Sequence, residues 1–145
     1  MAGPNFDNAT PTELYEHVSA MDEEEFEALM DDPSSRERVL EAIIDALVDL
    51  FRPEKAKGVE AVIHIKLWDA PGGGYDHYEL VIEDQACRLT TPPTDEPDLT
   101  LKVRPTDLRK LINGETGPKR LAFQGRLRAI GDLKLGMKLP DLFAF

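Results

Sequence analysis

Three kinds of side chain in this sequence have the chemistry to build a site. The first is a run of carboxylates, Asp22, Glu23, Glu24 and Glu25. Carboxylates ligate hard cations, but consecutive positions on a helix point in different directions. Negative charge at a helix start is also favoured by the macrodipole. The run therefore reads as an acidic first turn, and no metal site is expected. The second kind is histidine: His17, His64 and His77. His64 and His77 lie where polar and apolar residues alternate, so both fall on the less buried face of a sheet. Paired across a hairpin they would form a weak acid–base or metal pair; otherwise they are ordinary half-exposed strand residues. The third is Cys87, the only cysteine. It has no histidine beside it and reads as a buried, inert thiol. A lone cysteine also excludes an internal disulfide and a thiolate metal site.

Gly72, Gly73 and Gly74 lack the following lysine and the strand–loop–helix setting of a nucleotide loop, so they read as a hairpin turn. No Gly-x-Ser-x-Gly elbow or His-Glu-x-x-His motif is present. No nucleophile, base and oxyanion donor come together. The expectation is no catalytic residue, no metal and no cofactor.

The elements that would carry these residues follow from periodicity. Thr10, Pro11 and Glu13 have the pattern of a capped helix start, with Leu14 and Val18 on one face. A second start lies at 22–25, with Phe26, Leu29 and Met30 as its apolar face. Residues 10–31 thus form a helical hairpin. Pro33 interrupts the pattern, and Ser34 with Glu37 has the form of a capping box. The strongest helix follows, with Val39, Leu40, Ile43, Ile44, Leu47, Leu50 and Phe51 at helical spacing until Pro53 stops it.

From residue 59 the period becomes two. Val59, Ala61, Ile63, Ile65 and Leu67 share a face, and His64, Lys66 and Trp68 take the other. Strands at 75–83 and 86–90 complete an antiparallel meander. A Pro-rich loop leads to a fourth strand through Leu99, Leu101 and Val103. A helix opening near Thr106 carries Leu108, Leu111 and Ile112 and closes at Asn113-Gly114. Pro118 starts a short helix, 126–130 forms a fifth strand, and 133–139 is a further helix. No repeat or linker separates two cores. The order implies an α+β domain with helices covering one sheet face.

With 145 residues, the chain can bury roughly 70% of the surface its unfolded form exposes, enough for one core with an internal pocket. The net charge of -11 argues against nucleic acid, which demands a basic footprint. The charge is uneven: residues 1–101 carry a net of -17 and residues 102–138 a net of +7. That asymmetry reads as pairing between the two halves plus solvated faces, or as an anionic partner for the basic segment. No apolar run approaches the ~20 residues of a membrane span. The start has no signal-peptide pattern, and the end is no Ser-Lys-Leu address. A cytoplasmic location is expected.

Beyond Leu108, short apolar helices are broken by Gly114, Gly117, Gly125, Gly131 and Gly136. By pattern alone this is either the wall of a pocket or the second layer of a filled core. The stretch PDLTLKVRPTDLRKLINGETGPKRLAFQGRLRAIGDLKLGMKLPDLF resembles the end of the sterol carrier protein type-2 lipid-binding domain. The matching motifs are an Asp-x-Thr-Leu strand at 98–101, an Asp-Leu-x-x-Leu helix at 107–114 and a Pro-x-x-Ala-Phe-x-x-Gly-type turn at 118–125. A Leu-x-x-x-Gly-Asp strand end at 127–132 and a Leu-x-Met-Lys-Leu helix at 135–139 complete them. Phe51 to Ala56 adds to the likeness, which covers about residues 35–143. The order and spacing of these elements carry it.

The resemblance implies a five-stranded mixed, mainly antiparallel sheet, covered on one face by helices around an apolar tunnel. It implies non-enzymatic binding and carriage of fatty acids, fatty acyl-CoA, sterols or phospholipids. The lining is then expected from Leu108, Leu111, Ile112, Leu121, Phe123, Leu127, Ile130, Leu135, Met137 and Leu139, with Phe143 near an opening. Lys134 or Lys138 would meet an anionic head. The chain divides into a hairpin extension, residues 1–33, and a lipid-binding domain, residues 34–145. The hairpin lies outside the family pattern and is a candidate surface for a homodimer or an enzyme partner. Two rival functions stay open: a protein–protein accessory module for a lipid-metabolising enzyme, and a small lipid-modifying enzyme using His64 and His77.

Overall fold

The fold is that of a computed structural model, which describes residues 9–144. The first eight residues, where the extension and the leader reading begin, and Phe145 lie outside the described residues. Helix α1 (Pro11–Ser19) starts as its sequence requires, the Thr10 hydroxyl accepting the Glu13 N–H at 3.1 Å. Asp22 caps α2 (Glu23–Met30) by accepting the Glu25 N–H at 2.8 Å. The cap of α3 (Pro33–Asp49) differs from the sequence expectation. Asp32, not Ser34, accepts the Ser35 N–H. Pro33 does not break the pattern; it is the first helical residue, where its fixed φ and missing N–H suit the geometry. A carboxylate standing just before it is the better cap.

After a 3-10 turn at Pro53–Lys55 the sheet begins. Its strands are β1 (Ala61–Trp68), β2 (Tyr75–Glu83), β3 (Ala86–Thr90), β4 (Leu99–Val103) and β5 (Leu127–Gly131). Their order is β3-β2-β1-β4-β5. Only β1 and β4 run parallel; the other pairs are antiparallel. Asp98 sets the parallel pairing. Its N–H donates to the Val62 carbonyl, and its carboxylate accepts the Val62 N–H, both at 2.8 Å. Helices α4 (Pro105–Ile112), α5 (Pro118–Phe123) and α6 (Leu133–Leu142) flank the last strand.

Strand alternation gives the sheet two characters. Ala61, Ile63, Ile65, Leu67, Leu80, Ile82, Leu99 and Val103 are buried in one core with α3. Leu14, Val18, Phe26 and Met30 from α1 and α2 belong to that same core. Two buried arginines join the layers. Arg36 donates to the Asp76 carboxylate at 2.6 Å and to the carbonyls of Leu67, Trp68 and Asp69, pinning α3 to the β1–β2 hairpin. Arg109 on α4 donates to the carbonyls of Val18 and Met21 and lies over the Phe26 ring. The acidic first half and the basic second half meet here too, Lys110 lying 3.3 Å from Glu23.

Candidate functional site

At the β5 edge, on the helix-covered face, lies an apolar hollow of about 420 Å³. Its floor follows from register: Leu101 pairs with Ala129 and Val103 with Leu127, so Leu101, Leu127 and Ala129 share one face. One wall is α5, through Pro118, Lys119 and Ala122. The other is α6, through Leu133, Gly136, Met137, Leu139 and Pro140. Asp132 starts that wall by accepting the N–H groups of Lys134 and Leu135. Just before it, Gly131 makes the tight entry: its φ is +117°, and a Cβ there would stand 2.5 Å from the Asp98 carbonyl oxygen. Ala129 leaves the floor low where a larger residue would fill it.

Of the residues read from the sequence, the hollow brings together Leu127, Met137 and Leu139. Leu108, Leu111, Leu121 and Leu135 are buried in the core, and Ile112 is half-buried against it. Ile130 points to the opposite sheet face, as alternation from Leu127 and Ala129 requires. Phe123, at the end of α5, is 94% exposed. Phe143 is buried edge-on against Phe51, their ring centroids 5.6 Å apart. Lys119 lines the hollow, whereas Lys134 and Lys138 are exposed outside its lining. Strand parity alone could have found Ala129. Leu133 lay within the helix expected at 133–139 but was not read as lining, and Pro140 needed that helix to run on past residue 139.

The histidine pair does form, on the other face of the sheet. His77 Nε2 lies 2.8 Å from His64 Nδ1, and His64 Nε2 lies 3.0 Å from a Glu79 carboxylate oxygen. Glu79 is wholly buried and accepts the backbone N–H groups of Thr94 and Asp95. Burial pushes the Glu79 carboxyl up, but the bonds from Asp95, His64 and Thr94 outweigh it and hold it below its ordinary value. His77 is held below its ordinary value by burial first, then by His64 and Lys66. The chain of bonds runs from a loop through Glu79 to the two rings. Neither ring lines the apolar hollow. Burial pushes the Cys87 thiol up to about 11, so it stays protonated at neutral pH.

A helix-covered mixed sheet with an apolar hollow under its last two helices defines the class. The profile of the SCP-2 sterol transfer family matches residues 40–144, and the chain belongs to that family. Sterol carrier protein 2 from Gallus gallus is 28% identical over 86 residues, which is 59% of this chain and 16% of that protein. The Homo sapiens protein is 26% identical over the same length and shares. The chain thus spans about a sixth of the length of these relatives. Among solved structures, sterol carrier protein 2 like 2 from Aedes aegypti superposes with a TM-score of 0.57 at 19% identity, covering 72% of this chain and 95% of that one. The same protein in its palmitated form gives 0.56 at 20% identity, covering 68% and 88%. The sec-alkylsulfatase Pisa1 from Pseudomonas sp. gives 0.62 at 16% identity, covering 72% of this chain and 16% of that enzyme. The fold therefore stands alone in one relative and within a larger enzyme in another. No helix among the described residues is long and apolar enough to cross a membrane.

Proposed function

We propose that this chain binds and carries apolar chains in the hollow between β4, β5, α5 and α6, as a cytoplasmic carrier with no reaction of its own. The ligand class is fatty acids, fatty acyl-CoA, sterols or phospholipids. The observation that carries the reading is the hollow itself, about 420 Å³ with an apolar lining broken only by Lys119, on the stretch the family profile matches. The palmitated state of the Aedes aegypti relative supports an acyl chain as occupant. The division into an extension at 1–33 and a lipid-binding domain at 34–145 belongs to this reading, since the family match starts at residue 40. A homodimer or enzyme partner at the hairpin would meet its acidic outer surface, because Leu14, Val18, Phe26 and Met30 are buried within this chain.

The driving force is apolar transfer. If a methylene takes about the volume of a liquid water, roughly 30 Å³, the hollow accepts on the order of a dozen. At about 0.8 kcal/mol each, their full burial would gain roughly 10 kcal/mol. Association takes back at least ~4 kcal/mol, which leaves a Kd of order tens of micromolar. Chain-length selectivity is weak, because one methylene changes binding little. The test is a titration with a fluorescent fatty-acid analogue. Saturable binding, reversed by unlabelled palmitate, is expected. Absence of saturable binding for fatty acids, acyl-CoA, sterols and phospholipids alike would sink the reading.

A further inference from the structure

The sheet face turned away from the apolar hollow carries a second construction. Register places Lys66, Lys102 and Arg128 side by side on β1, β4 and β5. Neighbouring strands lie about 4.8 Å apart, so the three make one row of cations. Like charges directly opposite each other destabilise a sheet. None of the three forms an ion pair with a carboxylate among the described residues. Yet the sequence holds 28 acidic side chains against 17 lysines and arginines. The lysines rest on rings instead: Lys102 Nζ is 5.5 Å from the Trp68 centroid, and Lys66 Nζ is 4.8 Å from that of Tyr75.

Beside this row stand two arginines held from beneath. Asp107 is fully buried, and its two carboxylate oxygens accept from Arg104 Nε at 3.3 Å and Arg126 Nη1 at 3.4 Å. The arginine side chains are still 41% and 45% exposed. A guanidinium has five donors, so each keeps N–H groups for another acceptor. Lys102, Arg104, Arg126 and Arg128 line one hollow of about 530 Å³, with Trp68 as a flat wall and Asp69 as the single carboxylate in the lining.

We propose that this hollow is a binding site for a soluble anion carrying two or more linked phosphates. Four cations against Asp69 in the lining and Asp107 beneath it leave the site net positive, which sets the sign of the ligand. Guanidinium forks match phosphate oxygens in pairs. Arginines already fixed on Asp107 lose little freedom when they bind, which is the benefit of preorganisation. The exposed hydrophobic side chains of this face, Tyr75 and Ile130, stand beside the hollow and not in its lining, so the hollow itself presents charge and one aromatic wall to its ligand. The chain's net charge of -11 opposes wrapping by a long nucleic acid while leaving room for a small anion in a local basic hollow. The site sits across β4 and β5 from the apolar hollow and stands or falls separately from it.

Trp68 is the only tryptophan, so its emission reports the site directly. Titration of the full chain with inorganic tripolyphosphate is expected to change that emission saturably. The half-saturating concentration should rise about tenfold or more between about 50 and about 300 mM NaCl, because the contact is ionic. Lys102→Gln and Arg128→Gln should each raise it about tenfold, one charge-assisted contact being lost. Fatty-acid binding should stay unchanged in both. An unsaturable response, a response that both glutamine variants leave intact, or binding to phosphatidylglycerol vesicles or oligonucleotides without binding to tripolyphosphate would each overturn the assignment.

Discussion

The middle of this sheet and its β5 end are built on opposite principles. Around β1 and β2, polar groups are taken out of water and given partners: Arg36 on Asp76 and three carbonyls, His64 between Glu79 and His77. Around β5, apolar groups are left in water: Met137 is 82% exposed, Leu133 61% and Phe123 94%. A buried polar group costs stability unless it is satisfied, and once satisfied it fixes one geometry. An exposed apolar group gains nothing until something covers it. The first region therefore holds the fold, and the second is where a ligand can still add burial. The contrast says where substitution should hurt folding and where it should hurt binding.

The largest effect should come from Arg36→Ala. It strips the donor from three backbone carbonyls and leaves Asp76 unpaired. Breaking a buried charged network of this kind costs about 3 kcal/mol or more, to be read as a lower urea midpoint. If the variant unfolds at the wild-type midpoint, the polar region does not hold the fold. Next is Gly131→Ala. A positive φ costs a non-glycine residue ~1–2 kcal/mol, and the clash with the Asp98 carbonyl adds to it. A loss of roughly 2 kcal/mol or more is expected in the same measurement, because this glycine anchors the strand that floors the apolar hollow. Smaller still is Met137→Asp. Its exposed side chain predicts a change in stability within about 0.5 kcal/mol. A charge in the hollow should weaken fatty-acid binding about tenfold, near 1.4 kcal/mol. Equal affinity in wild type and variant would separate the hollow from lipid binding.

Much of this contrast was legible in the sequence, but unevenly. The faces of α3, β1 and β4 followed from residue spacing, because period and burial are coupled by geometry, whereas on β5 Ile130 was read with Leu127 although alternation puts the two on opposite faces. Arg36 and Arg109 were not legible as buried residues. Their acceptors lie 31 to 40 and 88 to 91 positions away, and no local pattern announces such a partner. The apolar hollow was legible as a region and poorly as a list. Leu121 and Phe123 look alike in the sequence, yet α5 is only six residues long and turns one of them in and the other out. Phe143 was read at an opening, but a bridge to Phe51 and bonds between Arg52 and Leu142 and between Ala144 and Leu50 fold it inward. The basic hollow behind β4 and β5 escaped because it depends on the parallel placement of β4 beside β1. Spacing along the chain does not encode that pairing.

The smallest effect is one of pH, and it should appear in one region only. His77 lies below its ordinary value of 6.5 in the folded chain, through burial first and then the charges of His64 and Lys66. Below neutral pH the unfolded chain therefore takes up this proton before the folded chain does. Linkage makes stability fall as pH drops through about 6.5, and the loss ends once both states are protonated. Glu79, below its ordinary 4.5, repeats the argument in a lower window: the stability it adds is present above that value and lost as pH falls through its folded one. Melting temperature should thus decline in two stages on acidification. His77→Gln should remove the first and spare the second. The lining of the apolar hollow holds neither histidine nor carboxylate, so binding of an uncharged fluorescent sterol should stay flat from about pH 7.5 to about 5.5 while the melting temperature falls. A first stage that survives in His77→Gln would place the titrating group elsewhere. Sterol affinity that tracks the melting temperature would mean that the two regions are not independent.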